Sequence, residues 1–261
     1  MKIRFLPLML LVALTIAACS NQGEQSADSD SNAPVEPQNT FTVTPFSPSH
    51  SYPDAAITSM EYVNGTFTFG IGGESYRLGV QTPDAAAKGC ANSAQGQHIH
   101  LIVDNLPYAA KYESTFDYEI PDGEHHILAF LSRSYHESIK TSSAHMAVKA
   151  MVKNNSITSS EPIDMPMLFY SRPKGVYTGT NETERVMLDY YLVNADPADY
   201  TVEADINGEI HQLDGWRPYY VEGLPAGENT IKLTLKQNGE RVKTDLNPVT
   251  RKFVLNPDPE G

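Results

Sequence analysis

The stretch FDYEIPDGEHHILAFL, residues 116–131, aligns without gaps with YVEGLPAGENTIKLTL, residues 220–235. In both stretches, a proline and a glycine separate two runs rich in aliphatic, aromatic and β-branched residues. That pattern indicates two strands joined by a turn. Because the similarity extends through both flanking runs, we interpret the two halves of the chain as copies of one β unit.

The sequence around these stretches has the same character from about Phe41 onward. Short runs rich in Val, Ile, Tyr, Phe and Thr are separated by NG, GG, DG and NPDP turn signals. Candidate strands are 57–63, 66–71, 75–80, 98–103, 115–120, 126–132 and 145–152, followed by 167–171, 185–194, 201–206, 219–222, 229–236 and 251–255. Six or seven strands in about a hundred residues is the size of an immunoglobulin-like sandwich. We therefore predict an all-β fold with two tandem immunoglobulin-like β-sandwich domains, at 41–160 and 166–256, joined by the proline-bearing segment SSEPIDMP.

The second copy shows how the unit looks as an ordinary scaffold. Ile231, Leu233 and Leu235 alternate with polar residues there, which predicts one buried face and one wet face. In the first copy, the positions aligned with the wet face are instead His126, Leu128 and Phe130. The outer face of this strand has therefore become apolar and has gained an imidazole.

A second strand of the first copy places histidines in the same way. His98 and His100 alternate with residues expected in the core, and side chains at i and i+2 share one face roughly 7 Å apart. We predict a metal site for copper or zinc, with His98, His100, His126 and His136 as ligands. The alternative is that these histidines fill a wet sheet face, or the contact between the two domains, without a metal.

The loop that follows residue 131 allows a different ligand. Arg133, Ser134, His136 and Lys140 provide several hydrogen-bond donors in an otherwise acidic protein. Such donors are suited to a phosphate, sulfate or carboxylate group. The alternative is an exposed polar loop with no ligand.

These segments also resemble a known group of proteins. The stretches GQHIHLIVDN, residues 96–105, and FDYEIPDGEHHILAFLSRSYHESIK, residues 116–140, resemble a family of bacterial extracytoplasmic domains of uncharacterised function. The family pattern is an HxHLxxD strand, a P-x-G-x-H turn and a histidine-bearing loop, and relatives are sometimes labelled phosphopeptide-binding. The resemblance implies a histidine-lined site that includes His98, His100, His125 and His136.

The N-terminus resembles that of a secreted bacterial lipoprotein. Lys2 and Arg4 precede an apolar run too short to span a bilayer comfortably, and Ile16-Ala17-Ala18-Cys19 resembles a lipobox. We expect a signal peptide at 1–18, lipid on Cys19, and a disordered tether at 19–40 that is poor in apolar residues. The resemblance implies an extracytoplasmic protein anchored to a membrane by its lipid. Ser20 favours the outer membrane of a bacterium with a periplasm.

Charge and cysteine content exclude other classes. Loss of residues 1–18 leaves 17 basic against 32 acidic residues, a net charge of about −15, which is unfavourable for binding nucleic acid. Lipidation of Cys19 leaves Cys90 alone, so an intrachain disulfide is not expected.

No hydrolase, phosphate-loop or dinucleotide motif occurs, and we expect no enzymatic activity. The sequence therefore predicts a membrane-anchored binding module for copper or zinc. The alternatives are a module for an anionic or phosphorylated ligand, and a structural or assembly lipoprotein without a small ligand. An assembly role would use the aromatic residues of the second copy, which are equally good core candidates: Tyr190, Tyr191, Trp216, Tyr219 and Tyr220.

Overall fold

The structure is a computed structural model that describes residues 41–258, and these belong to one compact unit. The signal peptide, the lipidated Cys19 and the tether predicted for residues 1–40 lie outside the described residues. Within 41–258, no helix has the length and apolar character needed to cross a membrane.

The described chain is built almost entirely of strands. The first half contains β1 (Thr42–Pro45), β2 (Ala56–Val63), β3 (Thr66–Gly72), β4 (His98–Val103), β5 (Ala109–Lys111), β6 (Thr115–Asp117), β7 (Gly123–Ser132), β8 (His145–Lys153) and β9 (Ser156–Pro162). The second half contains β10 (Met167–Arg172), β11 (Gly175–Thr178), the single helical turn α1 (Thr180–Thr183), β12 (Arg185–Val193), β13 (Tyr200–Ile206), β14 (Glu209–Leu213), β15 (Tyr219–Glu222), β16 (Gly227–Gln237), β17 (Glu240–Arg241) and β18 (Val249–Asn256).

Each half forms a sandwich of two sheets. In the first, the order β2-β3-β6 faces the order β5-β4-β7-β8-β9. In the second, β1-β15-β12-β10 faces β11-β18-β16-β13-β14, with β17 paired to β16. The all-β prediction with two immunoglobulin-like sandwiches is confirmed. β1 precedes the first sandwich in the chain but pairs with β15 of the second.

The alternation read from the sequence matches the observed faces. Ile127 and Leu131 of β7 lie in the core of the first sandwich, and Ile231 and Leu235 of β16 lie in the core of the second. The alternation arises because successive side chains of a strand point to opposite sides of the sheet.

The two sandwiches have equivalent corners, each of which includes a residue of the aligned stretches, His126 in the first and Thr230 in the second. In the first, Asp104 N donates to His126 O (2.8 Å), and His126 N donates to Asp104 Oδ1 (2.8 Å). In the second, Asn207 N donates to Thr230 O (2.9 Å), and Thr230 N donates to Asn207 Oδ1 (2.8 Å). Aligned residues therefore make equivalent hydrogen bonds, which supports the interpretation of the two halves as copies.

A third apolar cluster joins the sandwiches. Ile102, Leu128 and Phe130, from the outer face of β4 and β7, pack against Phe169 and Tyr191 of β10 and β12. The face that the sequence marked as unusually apolar is therefore buried against the second sandwich. His100, on the same face of β4 as Ile102, also lies at this contact, because its Nδ1 is 3.3 Å from Ser171 Oγ of β10.

One predicted strand is absent. Residues 75–80 are irregular in the described chain, because Gly73 and Gly79 have positive φ values of 92° and 76° that interrupt an extended backbone. A Cβ at Gly73 would lie 2.2 Å from Asp54 O. The segment instead buries Tyr76, whose hydroxyl donates to His98 O (3.1 Å) and Ser132 O (2.9 Å).

Candidate functional site

Three imidazoles meet between the two sandwiches. His98 Nε2 lies 2.8 Å from His100 Nε2 and 2.9 Å from His136 Nδ1, and His100 Nε2 lies 3.4 Å from His136 Nδ1. Among residues 41–258, they are the one set of at least three His, Cys, Asp or Glu residues whose ligand atoms all lie within 4.8 Å of one another. This set is named the histidine triad below.

Each residue of the histidine triad reaches the site for a local reason. His98 and His100 are alternate residues of β4, so they share the face that is buried against the second sandwich. His136 lies in a tight turn in which His136 N donates to Arg133 O (2.8 Å). Its φ of 70° is uncommon for a residue with a Cβ. Such a conformation costs of order 1 kcal/mol or more, and it is typical of functional sites.

The turn that carries His136 is attached to the second sandwich. Ser138 N donates to Asp189 Oδ2 (2.9 Å), and Lys140 forms an ion pair with the same carboxylate. Asp189, on β12, is fully buried. The position of His136 therefore depends on a carboxylate from the other copy of the fold.

Hydrogen bonds fix which nitrogen of His98 faces the site. His98 Nδ1 lies 2.8 Å from Gly96 O, and a carbonyl only accepts, so the proton is on Nδ1 and the lone pair is on Nε2. His100 Nδ1 lies 3.3 Å from Ser171 Oγ of β10. Partners of this kind orient histidine ligands around metal ions.

The short contacts within the histidine triad cannot all be hydrogen bonds. His98 Nε2 has one lone pair, and two nitrogens lie within 2.9 Å of it. One of them can donate a hydrogen; the other must then compete for the same lone pair or face it with its own. A cation bound by these three nitrogens would remove the conflict, because each lone pair would then be shared with positive charge.

The spacing also suits one ion. A circle through the three nitrogens has a radius of about 1.8 Å, given their separations, which is close to the bonds of about 2.0–2.1 Å between imidazole nitrogens and zinc. His98, His100 and His136 would therefore hold one ion between them.

The charge state of the imidazoles fits ligation as well. Burial lowers the pKa of His98 to about 4, and the nearby Arg172 guanidinium contributes to this effect. Burial, followed by repulsion from neighbouring imidazoles and cations, holds the pKa values of His100 and His136 well below the ordinary range. All three rings are therefore neutral at pH 7, the form that binds a metal.

Aromatic rings surround the histidine triad. Tyr108 stacks on His100 with centroids 3.7 Å apart and an interplanar angle of 11°, and Phe130 lies 5.0 Å from the same ring. Tyr112 lies 4.9 Å from His98. No sequence pattern indicated Tyr108, Tyr112 or Ser171, because their roles depend on the pairing of β4 with β5 and on the contact between the sandwiches.

The other residues proposed from the sequence lie elsewhere. His126 lies on β7 beside Asp104, whose Oδ1 accepts a hydrogen bond from His126 N. It is four residues, or about 13 Å, along β7 from Phe130, the residue that pairs with His100. His126 is therefore not part of the histidine triad. His125 Nδ1 lies 2.6 Å from Asp104 Oδ2, and its Nε2 lies 2.9 Å from Pro121 O.

His125 has a structural equivalent in the second sandwich. The aligned Asn229 donates from Nδ2 to Pro225 O (2.8 Å) and accepts from Asn207 Nδ2 (2.7 Å). Both side chains hold the same corner of the sandwich. Of the four histidines that the family resemblance implied, His125 therefore serves this corner and the other three form the histidine triad.

The residues proposed to bind an anion through the loop after β7 make hydrogen bonds or ion pairs within the protein. Arg133 donates from Nε and Nη2 to His50 O, at 3.0 and 2.6 Å, and lies 3.5 Å from Glu137. Ser134 Oγ accepts from Thr82 N (3.2 Å). Lys140, as described above, pairs with Asp189.

The strands and the histidine triad together define an all-β protein of two immunoglobulin-like sandwiches with a candidate metal site between them. No protein-family model matches the chain, and no curated protein matches it. Among solved structures, the chain is similar to the fibronectin(III)-like modules of Clostridium thermocellum CbhA, with 10% identity, a TM-score of 0.27, and coverage of 83% of this chain and 95% of that one. The fold assignment therefore rests on the strands and their pairing.

Proposed function

We propose that this protein is a metal-binding module for copper or zinc, and that His98, His100 and His136 are the ligands. The observation that carries the proposal is the convergence of three imidazole nitrogens within 2.8–3.4 Å. Imidazole nitrogens suit both metals. The lipobox-like residues at 16–19 support the further proposal that the module is lipid-anchored outside the cytoplasm. We also propose that it has no enzymatic activity of its own, since its sequence carries no recognised catalytic motif.

The second copy of the fold provides an internal comparison. In the register of β4 with β7 and of β13 with β16, the positions of His98 and His100 correspond to Thr201 and Glu203. Glu203 there forms a surface ion pair with Lys236. The unit therefore folds without imidazoles on this face, which supports a role for them other than maintaining the sandwich.

The test is metal titration of the purified full-length chain after removal of bound metal. Zn(II) and Cu(II) are titrated by calorimetry, and Cu(I) by anaerobic competition with a chromophoric chelator. The site variant is His136→Asn, because asparagine tolerates the positive φ but lacks the imidazole. The matched control is His126→Thr, which introduces the residue found at the equivalent position of the second sandwich.

We expect the wild type and His126→Thr to bind one equivalent of at least one of these ions, and His136→Asn to lose at least about a hundredfold in affinity, since it lacks a direct ligand. Circular dichroism and thermal unfolding verify that the variants are folded. Binding no tighter than micromolar for every ion, or equal binding by His136→Asn, contradicts the proposal.

A further inference from the structure

The environment of the histidine triad is unfavourable for a highly charged ion. His98 and His100 are fully buried, and Tyr108, which covers His100, is 4% exposed. The free-energy cost of moving an ion from water into such surroundings grows with the square of its charge. A dication therefore has about four times the desolvation cost of a monocation of similar size.

No carboxylate compensates for this cost at the ligand atoms. Within residues 41–258, the set of ligand atoms at this position consists of three imidazole nitrogens, which are neutral when they bind a metal. Three neutral donors leave the full charge of the ion in the site.

A buried cation adds repulsion. Arg172 is 5% exposed and donates to Tyr177 Oη (2.8 Å) and Tyr135 O (3.4 Å). It directly follows Ser171, which contacts His100, and Tyr135 directly precedes His136. Lys174, from the same segment, places its ammonium 4.2 Å from the centre of the Tyr108 ring. Repulsion from such neighbours is twice as large for a dication as for a monocation.

We infer that the histidine triad selects monovalent copper, Cu(I), over Zn(II) and other divalent ions. The inference rests on the proposed metal-binding function and assigns its cargo. Cu(I) is a monocation that accepts low coordination numbers, so three imidazoles and an aromatic wall meet its needs. Zn(II), in contrast, takes four protein ligands in structural sites, or three protein ligands and a bound water elsewhere, so the three imidazoles alone do not complete its coordination.

The first experiment compares the two d10 ions on the full-length chain. Cu(I) and Zn(II) affinities are each measured by competition with a chromophoric chelator, for the wild type and for His136→Asn. We expect the wild type to bind Cu(I) more tightly than Zn(II) by at least about tenfold, with both affinities reduced in the variant. Equal or tighter Zn(II) binding that His136→Asn loses overturns the inference but leaves the metal-binding proposal intact. Binding that the variant keeps for both ions overturns both.

A charge variant tests the physical reason. Lys174→Met removes one positive charge from a partly exposed side chain near the histidine triad. Because the relieved repulsion is proportional to the charge of the ion, we expect the logarithm of the Zn(II) affinity to rise about twice as much as that of Cu(I).

The matched control for this variant is Lys252→Met. Lys252 pairs with Glu228 in the second sandwich, and its loss should leave both affinities unchanged. Equal shifts for the two ions in Lys174→Met, or no shift for either, contradicts charge-based selection.

Discussion

Burial of neutral histidines between the sandwiches makes stability depend on pH. The pKa of His98 is lowered to about 4, because desolvation and, less strongly, the charge of Arg172 outweigh the opposing effect of the hydrogen bond to Gly96 O. In the unfolded chain the imidazole has its ordinary pKa of about 6.5. Between these two values the unfolded state binds more protons than the folded state, so stability falls as the pH drops below about 6.5 and levels off below about 4.

The size of the effect follows from the two pKa values of His98. At pH 8 the imidazole is neutral in both states and contributes almost nothing to the pH dependence. At pH 5 the unfolded chain is protonated and the folded chain remains mostly neutral, which lowers the free energy of unfolding by about 2 kcal/mol. His100 and His136 have pKa values lowered for the same reason and act in the same direction.

Urea denaturation of the metal-free protein at pH 5, 6, 7 and 8 measures this loss. The comparison variant is His98→Gln, which lacks the titrating group. Between pH 8 and pH 5, we expect the free energy of unfolding of the wild type to fall by about 2 kcal/mol more than that of the variant. The same pH dependence in both proteins would refute the conclusion that His98 is buried as a neutral base.

Two further predictions concern the residues that hold the site and the corner. Asp189→Asn leaves Lys140 without its carboxylate, so we expect the free energy of unfolding, measured by urea denaturation, to fall by about 3 kcal/mol. The double variant with Lys140→Met should recover part of this loss. Strict additivity of the two single changes contradicts a buried pair. His125→Asn introduces the residue of the second sandwich at the equivalent corner. We expect it to lower the unfolding free energy by about 1 kcal/mol and to leave the metal affinity unchanged in the calorimetric titration, whereas loss of metal binding would place His125 in the site.

The sequence predicts much of the fold because residue patterns within single strands and turns identify the core face and the repeat. Alternation of residues in β7 and β16 identifies the core face, and the aligned turns at Pro121 and Pro225 identify the repeat. Residues 75–80 have a strand-like composition but are not a strand. The positive φ of Gly73 interrupts the extended backbone, and composition does not show this property.

The candidate site could be predicted only in part. The strand period places His98 and His100 on one face, and the loop after β7 supplies His136. The strand period also places His126 on that face. It does not show which residue of β7 lies opposite His100, because that depends on the register of β4 with β7. Ser171 and Arg172 come from the other sandwich, and no local pattern indicates which surfaces of two domains will meet.

The repeat explains why a site could arise at this face. In the second sandwich, the equivalent face is wet and carries ion pairs such as Lys232 with Asp205. In the first, Ile102 and Leu128 take those two positions and are fully buried against β10 and β12. Burial of this face removes water from its edge, so polar groups there must find partners within the protein. His98 and His100 at that edge, together with His136 from the turn attached to Asp189, form a set of nitrogen donors whose short mutual contacts cannot all be hydrogen bonds and which a cation would satisfy together.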